Sequence, residues 1–87
     1  MAEQETARLW LVEREYSDKG MITLVYATTD GEKHLTKQFS EQMLTRTDVT
    51  AGLDAERDRL EMTQDEQQRY AAEAERMAGK HDPDDAV

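Results

Sequence analysis

Met21-Ile22-Thr23-Leu24-Val25-Tyr26-Ala27-Thr28-Thr29-Asp30-Gly31 is the stretch that decides the fold. Ile22, Thr23, Val25 and Tyr26 are the β-branched and aromatic types that suit a pleated surface, and the run stops at Asp30-Gly31, two residues that tolerate positive φ. Upstream, Arg8 to Tyr16 reads Arg-Leu-Trp-Leu-Val-Glu-Arg-Glu-Tyr and ends at the turn-prone Ser17-Asp18-Lys19-Gly20, so it is a strand preceding the first. Downstream, Glu32 to Phe39 sets Leu35 and Phe39 against His34, Thr36 and Gln38, the alternation of a third strand. Two short connections in a row require an antiparallel meander in the order 1-2-3, because parallel neighbours need a crossover of about a dozen residues.

The two earlier strands carry apolar groups on both sides. Leu9 and Leu11 oppose Trp10 and Val12, while Ile22, Leu24 and Tyr26 oppose Val25 and Ala27. That pattern belongs to a sheet covered on both faces, with one cover drawn from the rest of the chain or from another subunit. Leu9, Leu11, Val25 and Ala27 are accordingly the expected contact residues of a non-enzymatic protein-interaction module, in which this second face or an open edge of the sheet meets a second copy, giving a homodimer, or another protein.

Beyond the meander, Ser40 is placed to cap a short helix ending at Leu44, with Glu41 near its positive dipole end. Thr45 to Gly52 reads as a connection, with a turn or an extended segment over Asp48 to Leu53. Leu53 to Leu60 is rich in helix-forming Ala, Glu and Arg and predicts a short helix. Thr63-Gln64-Asp65-Glu66 fits a capping box that starts a longer helix running to Gly79 as terminator, with Tyr70, Ala74, Met77 and Ala78 as its narrow apolar stripe. Lys80 to Val87, with Pro83 and its acids, predicts a disordered tail. The fold class is therefore α+β, a three-stranded antiparallel meander followed by C-terminal helices packed on the sheet, in one domain over residues 1–79.

Length agrees with a single core: 87 residues sit at the small end of the domain range. The chain has no cysteine, which removes disulfides, thiol nucleophiles and thiolate metal sites. Its apolar runs fall well short of the roughly 18 residues that cross a bilayer, and Met1-Ala2-Glu3-Gln4-Glu5 lacks the basic and apolar regions of a secretory signal, so a cytoplasmic protein is expected.

Charge is the most informative bulk property. Twenty acidic residues against eleven basic ones give a net charge of −9 and a pI near 4.6, with mean hydropathy of −0.94. Such a surface repels phosphate, and no basic run appears, so nucleic-acid binding is not expected. The acids concentrate after residue 47, where twelve acids and five bases give −7, against eight and six for −2 before it. Four lysines against seven arginines, with abundant Ala and Thr, fit adaptation to salt, since self-repulsion of this size is screened when the Debye length falls to about 3 Å near molar salt.

Side chains able to carry chemistry are few. His81, Asp82, Asp84 and Asp85 are metal-ligating types in five positions, but an unstructured tail would have to be ordered to hold an ion, and a solvated acidic tail is the better reading. His34 has no nucleophile motif around it, and Glu13 with Glu15, two apart on one strand face, read better as solvated charges than as an acid–base pair. Gly20, Gly31, Gly52 and Gly79 are isolated and form no phosphate loop. Trp10, Tyr16, Tyr26 and Phe39 read as core rather than as a base-stacking platform. No catalytic, cofactor or metal residue is assigned. The competing class is a ligand-binding domain or enzyme with a pocket near Trp10, Tyr26 and His34, and a weaker one is a regulator touching nucleic acid.

The blocks Leu9-Trp10-Leu11-Val12-Glu13-Arg14-Glu15-Tyr16, Leu24-Val25-Tyr26-Ala27-Thr28-Thr29-Asp30-Gly31 and Tyr70-Ala71-Ala72-Glu73-Ala74-Glu75-Arg76-Met77, followed by His81-Asp82-Pro83-Asp84-Asp85, resemble a family of short uncharacterised haloarchaeal proteins over most of the chain. The resemblance implies a salt-loving origin and transfers no activity, cofactor or site residue.

Overall fold

A computed structural model describes residues 6–17, 19–40 and 49–87. Strands β1 (Thr6–Tyr16), β2 (Met21–Ala27) and β3 (Lys33–Ser40) form the meander, and β4 (Gly52–Glu56) and β5 (Glu61–Met62) extend it to five antiparallel strands in the order β4-β1-β2-β3-β5. Helix α1 (Gln67–Lys80) follows. Both meander turns close in the same way: Gly20 and Gly31 take φ of 79° and 72°, and each donates its amide to the residue three earlier, Ser17 or Thr28. A turn followed by a left-handed glycine suits the right-handed twist of the flanking strands.

Register sorts the side chains. Trp10 pairs with Ala27 and Ala27 with His34, so these three share a face with Val25, Glu13 and Glu15. Leu11 pairs with Tyr26 and Tyr26 with Leu35, which puts them with Leu9, Ile22, Leu24, Phe39, Leu53 and Ala55 on the other. The register shifts between Leu11 and Glu13, leaving Val12 as a bulge. Helix α1 covers the first face with Tyr70, Ala74 and Met77, all buried, and the rings of His34 and Tyr70 meet edge to face at 5.8 Å. On the second face the Tyr26 hydroxyl donates to the carbonyl oxygen of Thr50 at 2.9 Å, and Val49 and Leu60 pack on the same core cluster.

The sheet is wider than the predicted three strands. Leu53 to Leu60 is not a helix: Gly52–Glu56 is a strand and only Arg57–Arg59 makes a single 3₁₀ turn. Leu53 and Ala55 alternate with Asp54 and Glu56, and pairing along β1 from Thr6 to Trp10 outweighs the weak helix preference of Ala, Glu and Arg. The capping box does not form either. Thr63 is held extended, donating its amide to Glu32 and meeting His34 through its hydroxyl, so α1 starts at Gln67 without a side-chain cap and ends at Lys80 rather than at Gly79. The expected Ser40–Leu44 helix falls on residues 41–44, outside the described residues, and Ser40 itself ends β3.

The segment after α1, expected to be disordered, runs along Val49–Gly52. Ala51 donates to Asp85, Gly52 to Pro83 and Val87 to Val49, at 2.8 to 2.9 Å, with Thr50 facing Ala86. Composition alone does not register these backbone bonds. Among the described residues no helix is long and apolar enough to cross a membrane.

Candidate functional site: a cleft along the open edge of β1

β1 is eleven residues long and β4 only five. β4 pairs with Thr6 to Trp10, and one further bond runs from the Leu11 amide to the Ala51 carbonyl at 2.8 Å. From Val12 to Tyr16, β1 is paired with β2 on one side, and no described residue pairs with the other. Val49–Gly52, which leads into β4, takes Pro83 to Val87 beside it. Strand edges of this kind expose amide and carbonyl groups that another chain can use.

A cleft of about 410 Å³ lies along this edge. Leu11, Val12, Met77, Ala86 and Val87 give it an apolar floor, and Glu13, Arg14, Glu73, Arg76 and His81 give it a charged rim. Leu11 to Arg14 are consecutive. Alternating side chains bring only every second residue to a cleft over a sheet face, so four in a row mean that this one follows the backbone edge. α1 contributes Glu73, Arg76 and Met77 to the cleft lining.

Charges around the cleft are unevenly satisfied. Glu13 accepts a 2.9 Å bond from Arg69 Nη2 and a long 3.5 Å bond from the Tyr70 hydroxyl. Those hydrogen bonds, first from Glu13 and then from Glu66, raise the Arg69 pKa further above its ordinary value. Burial, followed by the Glu13 charge, pushes the Tyr70 hydroxyl up as well. Arg76 is held by Glu73 through Nε and Nη2. The side chains of Arg14 and Glu15 are exposed and make no hydrogen bond or ion pair with another described residue, although the Arg14 charge acts on the Tyr26 hydroxyl.

The residues picked out from sequence lie elsewhere or apart. Leu9, Leu11, Val25 and Ala27 are all buried within the one chain, and register sends Leu9 and Leu11 to one face and Val25 and Ala27 to the other. They form no common surface, so the apolar motive for a homodimer is gone. Trp10 and His34 likewise lie on the helix side and Tyr26 on the far side, so no pocket unites them. His34 sets Nδ1 2.8 Å from Thr63 Oγ1 and Nε2 3.7 Å from Glu61, an arrangement of hydroxyl, imidazole and carboxylate. Thr63 is buried and neither described cleft reaches it, so this group fastens β5 to the sheet. The carboxylates of Asp82, Asp84 and Asp85 lie within 4.8 Å of one another, and Asp85 accepts the Asp82 amide and lies 3.7 Å from His81. They close a turn of the segment that borders β4.

Residues 3–87 match a family of unknown function, DUF7967. The chain belongs to this family. No curated protein and no solved structure matches it. A member of DUF7967 thus presents its edge cleft without a relative of known activity. Sequence reasoning missed this cleft because the edge exists only once β4 is seen to be shorter than β1. Glu13, Arg14, Arg76 and Met77 carry no motif of their own.

Proposed function

We propose that the protein is a non-enzymatic interaction module that receives an extended protein segment along the open edge of β1, from Val12 to Tyr16. The observation that supports this most is the run of four consecutive β1 residues along one cleft, on a flank where no described residue pairs with the backbone from Val12 to Tyr16. Strand addition draws affinity from main-chain bonds and selectivity from flanking side-chain pockets. An enzymatic reading has less behind it, since the one imidazole inside the sheet, His34, is committed to Thr63. The acidic composition supports a salt-rich cytoplasm as the setting.

Placing a photo-reactive side chain at position 14 in the cell of origin tests the proposal, with Asp58 on the 3₁₀ turn as control position. Adducts to a defined protein from position 14 and none from position 58 are expected. Equal labelling, or none at position 14, would remove it. A second reading, a small amphiphile held in the same cleft, draws on its volume and apolar floor, and saturable thermal stabilisation by such a molecule without any protein adduct would favour it.

A further inference from the structure

Resting on the strand-addition reading, we infer that the segment received by β1 belongs to a different protein, not to a second copy, and carries a basic–acidic–basic triplet opposite Glu13, Arg14 and Glu15. The inference comes from how charges fall along the open edge. In a sheet, directly opposite side chains lie on the same face within contact distance, and like charges there destabilise the pair. Arg14 and Glu15 have no ion-pair partner among the described residues, while Glu13 is held in place by Arg69 and Tyr70. The edge therefore presents an acid held by Arg69 and Tyr70, then a base and an acid whose side chains have no ion-pair partner among the described residues, on alternating faces.

A second copy fits this order badly. Two copies joined at this edge about a twofold axis perpendicular to the sheet must oppose residues of the same face. Only three such registers give at least three pairs inside Val12–Tyr16. One sets Arg14 against Arg14 and Glu13 against Glu15, the second sets Glu13 against Glu13, and the third sets Glu15 against Glu15. Each places like charges directly across the new ladder, on a chain whose net charge is already −9. A foreign strand with the opposite order meets all three positions favourably. Alongside it, the exposed Ala86 and Val87 of the cleft lining offer apolar contact for a residue of the incoming strand, and Tyr16, 59% exposed, offers an aromatic surface.

The test uses the full chain, isotopically labelled, and two synthetic peptides of equal length, Thr-Val-Lys-Glu-Lys-Val-Thr and Thr-Val-Glu-Lys-Glu-Val-Thr. Amide shifts of Val12 to Tyr16 should follow the first peptide at about tenfold lower concentration than the second, from three cross-strand charge pairs. The preference should reverse in a Glu13→Lys, Arg14→Glu, Glu15→Lys chain, shrink in a Glu15→Lys chain, altered at an exposed position, and weaken in molar KCl. Equal binding of both peptides at β1 would overturn the charge order and leave strand addition standing. No shift in β1 with either peptide would overturn both. A dimeric mass accompanied by shifts in Val12 to Tyr16 would overturn the claim that the partner is foreign.

Discussion

The amide of Leu11 donates to the carbonyl oxygen of Ala51 at 2.8 Å, and it is the last described backbone bond on that flank of β1. One residue later Val12 bulges, and the cleft begins. A bulge bends and twists its strand, and here it falls where the pairing with β4 ends. The open edge is thus a product of strand lengths: eleven residues against five.

The segment beside β4 should contribute to stability. Deleting residues 83–87 removes three backbone bonds to Val49–Gly52, and at roughly 0.5–1.5 kcal/mol each the loss should be about 2 kcal/mol. Urea unfolding at fixed KCl, followed by the fluorescence of Trp10, the single tryptophan, measures it. A freely disordered tail would leave the midpoint unchanged.

Tyr26→Phe should cost about 1–2 kcal/mol in the same assay, because it strips the carbonyl oxygen of Thr50 of its phenolic donor inside the far cover of the sheet. Burial raises the Tyr26 pKa despite that hydrogen bond, so the hydroxyl stays a donor throughout the neutral range.

The two turn glycines separate conformational strain from close approach. Both have positive φ, so an alanine at either is strained by about 1–2 kcal/mol. A Cβ at Gly20 meets nothing within 4 Å, whereas at Gly31 it would lie 2.1 Å from the Gln67 carbonyl oxygen at the start of α1. Gly31→Ala should therefore destabilise by at least about 2 kcal/mol more than Gly20→Ala, and equal losses would mean that α1 does not rest on the turn.

Acid stability should depend on Asp30. Its carboxylate accepts the Thr28 hydroxyl and the Glu32 amide, and these bonds hold its pKa below the usual carboxylate value. A folded pKa lower than the unfolded one stabilises the fold above the unfolded value, and that contribution disappears as pH falls through the folded value. Asp30→Asn should accordingly lower stability at neutral pH and flatten its decline below about pH 4, read from urea midpoints across the acid range.

Much of the fold was legible in the sequence, and the reasons are particular. Ile22, Leu24 and Tyr26 against Val25 and Ala27 announced two covered faces, and Gly20 and Gly31 marked the turns. Leu53-Asp54-Ala55-Glu56 was read by residue preference as helical although its alternation is that of a strand, since four residues give too short a window for period to outvote composition. Thr63 matched a capping box that tertiary contacts with Glu32 and His34 override. The cleft was not legible, because it depends on where one strand stops alongside another and no single residue encodes that. Leu9, Leu11, Val25 and Ala27, expected from their apolar character to be contact residues, are buried on the two interior faces of one chain.

Native-state hydrogen exchange of the free chain in molar KCl probes the open edge most directly. Amides of Leu9 to Leu11, directed at β4 or β2, should all be protected, while from Val12 to Tyr16 only those directed at β2 should be, with the outward ones exchanging at close to unprotected rates. Uniform protection from Leu9 through Tyr16 would mean that the edge is already filled, and the strand-addition proposal would fail with it.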